Sequence, residues 1–297
     1  MTAQIKFERV LFATDFLESS RLALDYAVAF AGSFGATIVM LHVLELTQAA
    51  REAEAETARP SLMRRVAEER LELLAAGVRR LGCTVEVTVE DGIPCQIILQ
   101  AVDKHRADLL VLGVHGIHRG LEHLLIGSNT EKILLSAKCP TLTVGAHVLS
   151  GVGLQLKTNE IIYFNDFTAE AAAAAPYSAY LSEKLEASTQ ICQISTSNGA
   201  GNHVMEEQPE DIPKMMPFHD LAVLERSRVF QLQKGEELDQ VLSIAKSHNA
   251  GLIVLGVRPT SQLGRHLRTS FAYNLLATAT CPVLSVRSPQ TSLKESA

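Results

Sequence analysis

Along the first half of the chain, short runs of consecutive apolar residues alternate with longer stretches in which apolar residues recur every three or four positions. The first pattern reads as buried strand and the second as amphipathic helix. Strands are predicted near 8–14, 37–43, 84–89, 108–113 and 140–144, and helices near 19–33, 61–81, 94–106 and 128–137. The strand runs are apolar throughout rather than alternating, as expected when helices cover both faces of a parallel sheet. Helix 61–81, "SLMRRVAEERLELLAAGVRRL", carries a Leu, Val and Met stripe opposite Arg and Glu, which suits a helix lying on that sheet.

The second half repeats the first. "RVLFATDFLESSRLALDYAVAFAGSFGATIVMLHVLE" (9–45) answers to "EIIYFNDFTAEAAAAAPYSAYLSEKLEASTQICQIS" (160–195), each a strand ending in Asp-Phe, an Ala-rich helix and a second strand. "GIPCQIILQAVDKHRADLLVLGVHG" (92–116) answers to "GEELDQVLSIAKSHNAGLIVLGVRP" (235–259) at a constant offset, and "KCPTLTV" (138–144) answers to "TCPVLSV" (280–286). Two parallel α/β domains follow, 1–150 and 151–297, with the boundary in "GAHVLSGVGLQLKTNE". The copies differ at 197–218, "SNGAGNHVMEEQPEDIPKMMPF", whose Gly, Asn and Pro predict a long surface loop.

Composition adds exclusions. A chain of 297 residues, 47% hydrophobic and 20% charged, suits two globular domains, each able to bury a core. A net charge of −6 argues against nucleic acid or an anionic membrane as the main partner. No apolar run approaches bilayer-spanning length and no secretory leader is recognisable, which points to the cytoplasm. Cys83, Cys95, Cys139, Cys192 and Cys281 have no metal-ligand spacing and read as small buried hydrophobes in a reducing compartment.

The candidate chemistry lies in "GVHGIHRGLEHLLIGS" (113–128), four glycines directly after the strand "ADLLVLG". In a parallel sheet, ligands bind beyond the carboxyl ends of the strands. Glycines there let backbone N–H groups approach an anion, and the helix that follows, "GSNTEKILL", offers the positive end of its dipole. Ser128 and Glu131 also fit a capping box, in which Ser128 serves its own helix. Asp15 has two readings as well, capping the following helix or satisfying loop amides, or a contact to a nucleotide hydroxyl or adenine.

"ATDF" on the first strand, "LHV" after the second, "GVHG…IGSNTEKIL" and "CPTLTV", in this order, resemble the universal stress protein family, over nearly the whole chain as a tandem pair. The resemblance implies two Rossmann-like, adenine nucleotide alpha-hydrolase-like domains, each an open parallel five-stranded sheet with helices on both faces. ATP-binding members of the family carry G-x2-G-x9-G-[ST]. The loop backbone and the final Ser or Thr hold phosphates there, and the first-strand Asp and second-strand Val lie by the adenosine. Carried over, the site is Asp15, Val43, Gly113, Gly116, Gly127, Ser128 and Asn129, with Val43 acting through its backbone. Ten residues, "IHRGLEHLLI", separate Gly116 from Gly127 where the pattern has nine. Either Gly120 absorbs the extra residue as a bulge, or Gly116 no longer faces phosphate. In the second copy Pro259 and Thr269 stand where the second and third glycines belong, so that loop is expected to be degenerate. Arg258, Arg265, His266 and Arg268 there read as solvated charge.

Other chemistry is not supported. His115, His118 and His123 crowd the loop without a zinc spacing, and no metal is expected. His42 reads as a satisfied strand-end histidine, and no G-K-[ST] makes Lys132 a Walker lysine. There is no G-x-S-x-G elbow, supported Cys-His pair or carboxylate pair, so no dedicated enzyme is expected. The expected function is a nucleotide-dependent stress-response sensor or regulator binding ATP or another adenine nucleotide, with or without Mg, in the N-terminal half. The competing reading is a nucleotide-free interaction scaffold, with weak ATP hydrolysis a third. "PTLTV" and "PVLSV", short strands entered through proline, are expected to pair the domains about a pseudo-twofold axis, after which two chains can form a homodimer.

Overall fold

The apolar runs form the strands they predict. The computed structural model describes residues 5–45, 62–114, 117–118, 124–148, 153–194, 205–207, 227–257 and 271–288, with backbone alone at 117–118, 124–125 and 205–207. The first half runs β1 (Arg9–Thr14), α1 (Glu18–Phe34), β2 (Thr37–Leu44), α2 (Leu62–Arg80), β3 (Val85–Asp91), α3 (Pro94–Lys104) and β4 (Leu109–Gly113). It continues with β5 (Ile117–His118), β6 (Leu124–Leu125), α4 (Ser128–Ser136) and β7 (Thr141–Val144). The second half runs β8 (Glu160–Asn165), α5 (Ala169–Leu185), β9 (Ser188–Ile194), β10 (Met205–Glu207) and β11 (Ser227–Leu232). It ends with α6 (Glu237–Ser247), β12 (Leu252–Val257), α7 (Phe271–Thr278) and β13 (Val283–Arg287).

Eleven strands form one sheet in the order β10-β11-β9-β8-β12-β13-β7-β4-β1-β2-β3. Each half contributes five parallel strands. The halves join where β13 runs antiparallel to β7, pairing Val283 with Thr143, Leu284 with Leu142 and Ser285 with Thr141. Leu142 thus lies opposite its own duplicate, the signature of a twofold between the repeats. The expected intramolecular pairing is therefore present: each proline-led strand closes its half by joining the other.

Three expectations are corrected. The segment 197–218 is not loop throughout, because Met205–Glu207 adds an antiparallel strand to β11 and gives the second half a sixth strand. The rest of that segment lies outside the described residues. The glycine-rich loop contains a small hairpin, β5 with β6, pairing Ile117 with Leu125 and His118 with Leu124. Finally, β3 is an edge strand with only Val85 fully buried, as its alternating sequence VEVTVED befits, so not every strand is covered on both faces.

Helices α1, α2 and α5 pack on one face of the sheet over a single core that draws on both halves. Phe7 bridges them, its ring centroid 5.5 Å from Phe30, 5.2 Å from Phe34 and 5.9 Å from Tyr180. On the other face, α3 and α4 cover β1, β2 and β4. There α6 and α7 cover the second half, in a core that also takes in Val114, Ile126 and Leu134 of the first.

Candidate functional site

The duplicated Asp-Phe pair is a turn that directs the chain from strand into helix. Phe16 and Phe167 both adopt left-handed backbone, φ 63° and 60°, a conformation costing a residue with a Cβ about 1 kcal/mol or more. Side chains on either side of the turn hold it. Thr14 Oγ1 accepts from the Phe16 N–H at 3.0 Å and Asp15 Oδ1 from the Leu17 N–H at 2.9 Å. In the duplicate, Asn165 Oδ1 accepts from the Phe167 N–H at 3.0 Å and Asp166 Oδ1 from the Thr168 N–H at 3.2 Å. The Phe16 ring lies 4.4 Å from that of His42, and the Arg70 guanidinium of α2 covers its other side at 4.3 Å. His42 Nδ1 sits 2.8 Å from the Thr14 carbonyl, which it meets as a donor. His42 is a structural strand-end residue, as expected.

Beyond this turn, at the carboxyl ends of β1, β2 and β4, a crevice of about 270 Å³ opens between α3 and α4. It brings together Asp15, Val43, Gly113 and Asn129, four of the seven residues carried over from the sequence. Gly127 and Ser128 stand directly before Asn129, as the cap position and first residue of α4. Gly116 lies outside the described residues, as do His115, His123 and the His118 side chain. Residues that sequence reasoning missed complete the wall: Leu41, Leu112, Ile98 and Ile133 are apolar, while Glu45 and Thr130 are polar. The signal for Ile98 and Ile133 was their place near the starts of helices whose N-termini face the strand ends. Among the described residues, no lysine or arginine lines the crevice. Val43 sits one residue past the last pair between β1 and β2, Thr14 with His42.

The capping box does not form. Gly127 occupies the cap position of α4, with φ −62° and ψ 146° and no side-chain cap, and Ser128 is already helical and exposed. The N–H groups of the first turn are consequently not consumed by a cap side chain.

The glycines of the loop serve different purposes. A Cβ on Gly113 would meet the backbone of Ser19 at 2.4 Å, and one on its duplicate Gly256 would meet that of Glu170 at 2.1 Å. These two let the first turn of a helix rest on a strand end, so the glycine shared by both halves answers to packing. A Cβ on Gly127 meets nothing within 4 Å, and its φ suits any residue. Among the described residues nothing requires glycine at 127.

In the second half two aromatic rings meet at the equivalent positions. Aligning ATDF (13–16) with FNDF (164–167), and SNTEKIL (128–134) with SFAYNLL (270–276), matches Ala13 and Asn129 to Phe164 and Phe271. Their rings stack with centroids 3.9 Å apart and planes at 19°. The second loop, with Arg258, Pro259, Arg265, His266, Arg268 and Thr269, lies outside the described residues.

Among the described residues no cluster of His, Cys, Asp and Glu is arranged to hold a metal ion, and no helix is long and apolar enough to cross a membrane. All five cysteines are free, and burial pushes the thiols of Cys139 and Cys281 up to about 12, away from the reactive thiolate.

Comparison with known proteins agrees with this architecture. The sequence model of the universal stress protein family matches residues 6–145 and 225–287. A universal stress protein of Thermus aquaticus is 31% identical over 140 residues, 46% of this chain and 98% of its own length. One from Methanocaldococcus jannaschii is 27% identical over 140 residues, 46% of this chain and 82% of its own. A solved universal stress protein structure from Archaeoglobus fulgidus aligns over 95% of this chain and 98% of its own, with a TM-score of 0.69 at 20% identity. Single relatives thus match about half the chain, and the fold matches as a pair.

Proposed function

Because the chain belongs to the universal stress protein family, we propose that it binds ATP or another adenine nucleotide in the N-terminal crevice and acts as a nucleotide-dependent regulator rather than an enzyme. One observation carries the reading. Asp15, Val43, Gly113 and Asn129, far apart in sequence, meet in one crevice at the strand ends, with the start of α4 at its mouth. Leu41, Ile98, Leu112 and Ile133 offer apolar walls for a base. Asp15 accepts from sugar hydroxyls, a role compatible with the bond one of its oxygens makes to Leu17. The backbone of Gly127–Asn129 receives the phosphates, where helix dipole and main-chain donors point the same way. Gly127 belongs to this reading because no described residue packs against its side.

The second half, divided from the first near residue 150, does not bind nucleotide in this reading. The Phe164–Phe271 stack occupies the base position, and Pro259 removes a donor from the loop. In this reading occupancy acts by shifting loop populations.

The test is protein purified without added nucleotide, examined by native mass spectrometry and then titrated with ATP in a calorimeter. Binding is expected with one site per chain. Gly127→Asp places an anion in the open space beside α4 while improving its cap, so it is expected to fold normally and lose ATP binding. Wild-type protein that binds nothing at millimolar ATP defeats the reading and leaves the interaction scaffold in its place.

A further inference from the structure

The helix at the mouth of the crevice belongs to the first half but is gripped by the second. Before its N-terminus, the Tyr273 hydroxyl on α7 accepts from the Ile126 N–H at 2.6 Å and donates to the Ile126 carbonyl at 3.1 Å. A phenol can do both at once, and phenylalanine neither. Ile126 is 5% exposed and Tyr273 3%, so water does not readily substitute for either bond. At the other end, the Arg287 guanidinium on β13 donates to the Leu135 carbonyl at 2.8 Å, in the last turn of α4, where carbonyls lack helical partners. Between these points Leu134 packs with Ile126 and Val114 into the core of the second half.

Only Gly127 separates Ile126 from the first residue of α4. Gly127 adds no side-chain restraint at the start of α4, so the held Ile126 peptide anchors the chain where it enters the turn that carries the N–H groups of Ser128 and Asn129. We propose that Tyr273 is a positioning residue for the nucleotide site. The second half has given up its own crevice and instead sets the angle at which Gly127–Asn129 meet phosphate. Tyr273 touches no ligand; it acts through the Ile126 backbone. The inference rests on the nucleotide reading above.

The experiment is Tyr273→Phe in the full chain, which keeps the buried ring, titrated with ATP and separately with adenosine. Loss of one net hydrogen-bonding group predicts ATP affinity weakened about threefold to tenfold. Adenosine, which lacks the phosphates, is expected to bind both proteins within about twofold. Amide hydrogen exchange at 126–129 is expected to quicken in the variant without ligand. ATP affinity equal to wild type overturns the inference and leaves the nucleotide reading standing. Equal losses for ATP and adenosine also overturn it, since they mark general loosening. A wild-type chain that binds no ATP takes both down. Should Tyr273→Phe fail to fold, amide exchange in the wild-type chain serves instead: an Ile126 N–H that exchanges as freely as an exposed amide defeats the proposal.

Discussion

At the scale of single residues, identical letters turn out to do different work. Gly113 and Gly127 both belong to the loop pattern, yet one sits against helix backbone and the other faces open space. Gly113→Ala is expected to destabilise the fold by about 1–3 kcal/mol or more, because neither the strand end nor the α1 backbone can retreat cheaply. Gly127→Ala should cost no more than about 1 kcal/mol, the difference between two cap residues. Denaturant unfolding of the two variants checks this, and comparable losses would mean that the open space is not real. Asp15 likewise turned out to fill a structural role, the bond to Leu17, while lining the crevice. The two readings available from its sequence position are not exclusive.

At the scale of elements, helix and strand positions followed the apolar periodicity closely, since burial of a stripe or a run decides most of their stability. The departures sit where packing is weak. Ser128 looked like a cap because S-x-x-E precedes an apolar run, but the helix begins one residue earlier relative to that pattern and puts Gly127 at the cap. In α5, Pro176 lies inside the helix, exposed on its solvent face. The Ala-rich flanks and buried Ala171, Ala174 and Ala175 carry the helix through it. Proline still removes one N–H donor and crowds the preceding turn. Pro176→Ala is therefore expected to raise stability by about 1–3 kcal/mol with the fold unchanged, seen as a higher thermal midpoint. A lower midpoint would assign the proline a role in shaping the contact of Tyr177 and Tyr180 with Phe7.

At the scale of the whole molecule, duplication supplied a way to close two sheet edges at once. The strands at the join are short and carry hydroxyls: Thr141, Thr143 and Ser285 are buried beside Leu142 and Leu284, and Thr143 Oγ1 donates to the Val283 carbonyl at 3.1 Å. A charge at the centre of this seam has no partner. The wild-type chain is expected to unfold in one transition, and Leu284→Asp is expected to split it into two and to open the region between the halves to protease. One sharp transition at near-wild-type temperature would show that the aromatic cluster around Phe7 holds the halves together without the seam.

Patterning predicted the α/β class, the five strands of the first half and the duplication, and, with the family resemblance, the pairing of the two terminal strands. These follow from local periodicity, and from the fact that an unpaired apolar edge seeks its like. Tertiary structure decided what depends on distances between residues far apart in the chain. It showed which glycine yields to a neighbouring backbone, that Phe164 and Phe271 meet where the first half leaves a gap, and that Tyr273 reaches across to Ile126. Nothing local marks those contacts, because a tyrosine on a buried helix face has the same sequence signature whether its hydroxyl meets its own half or the other.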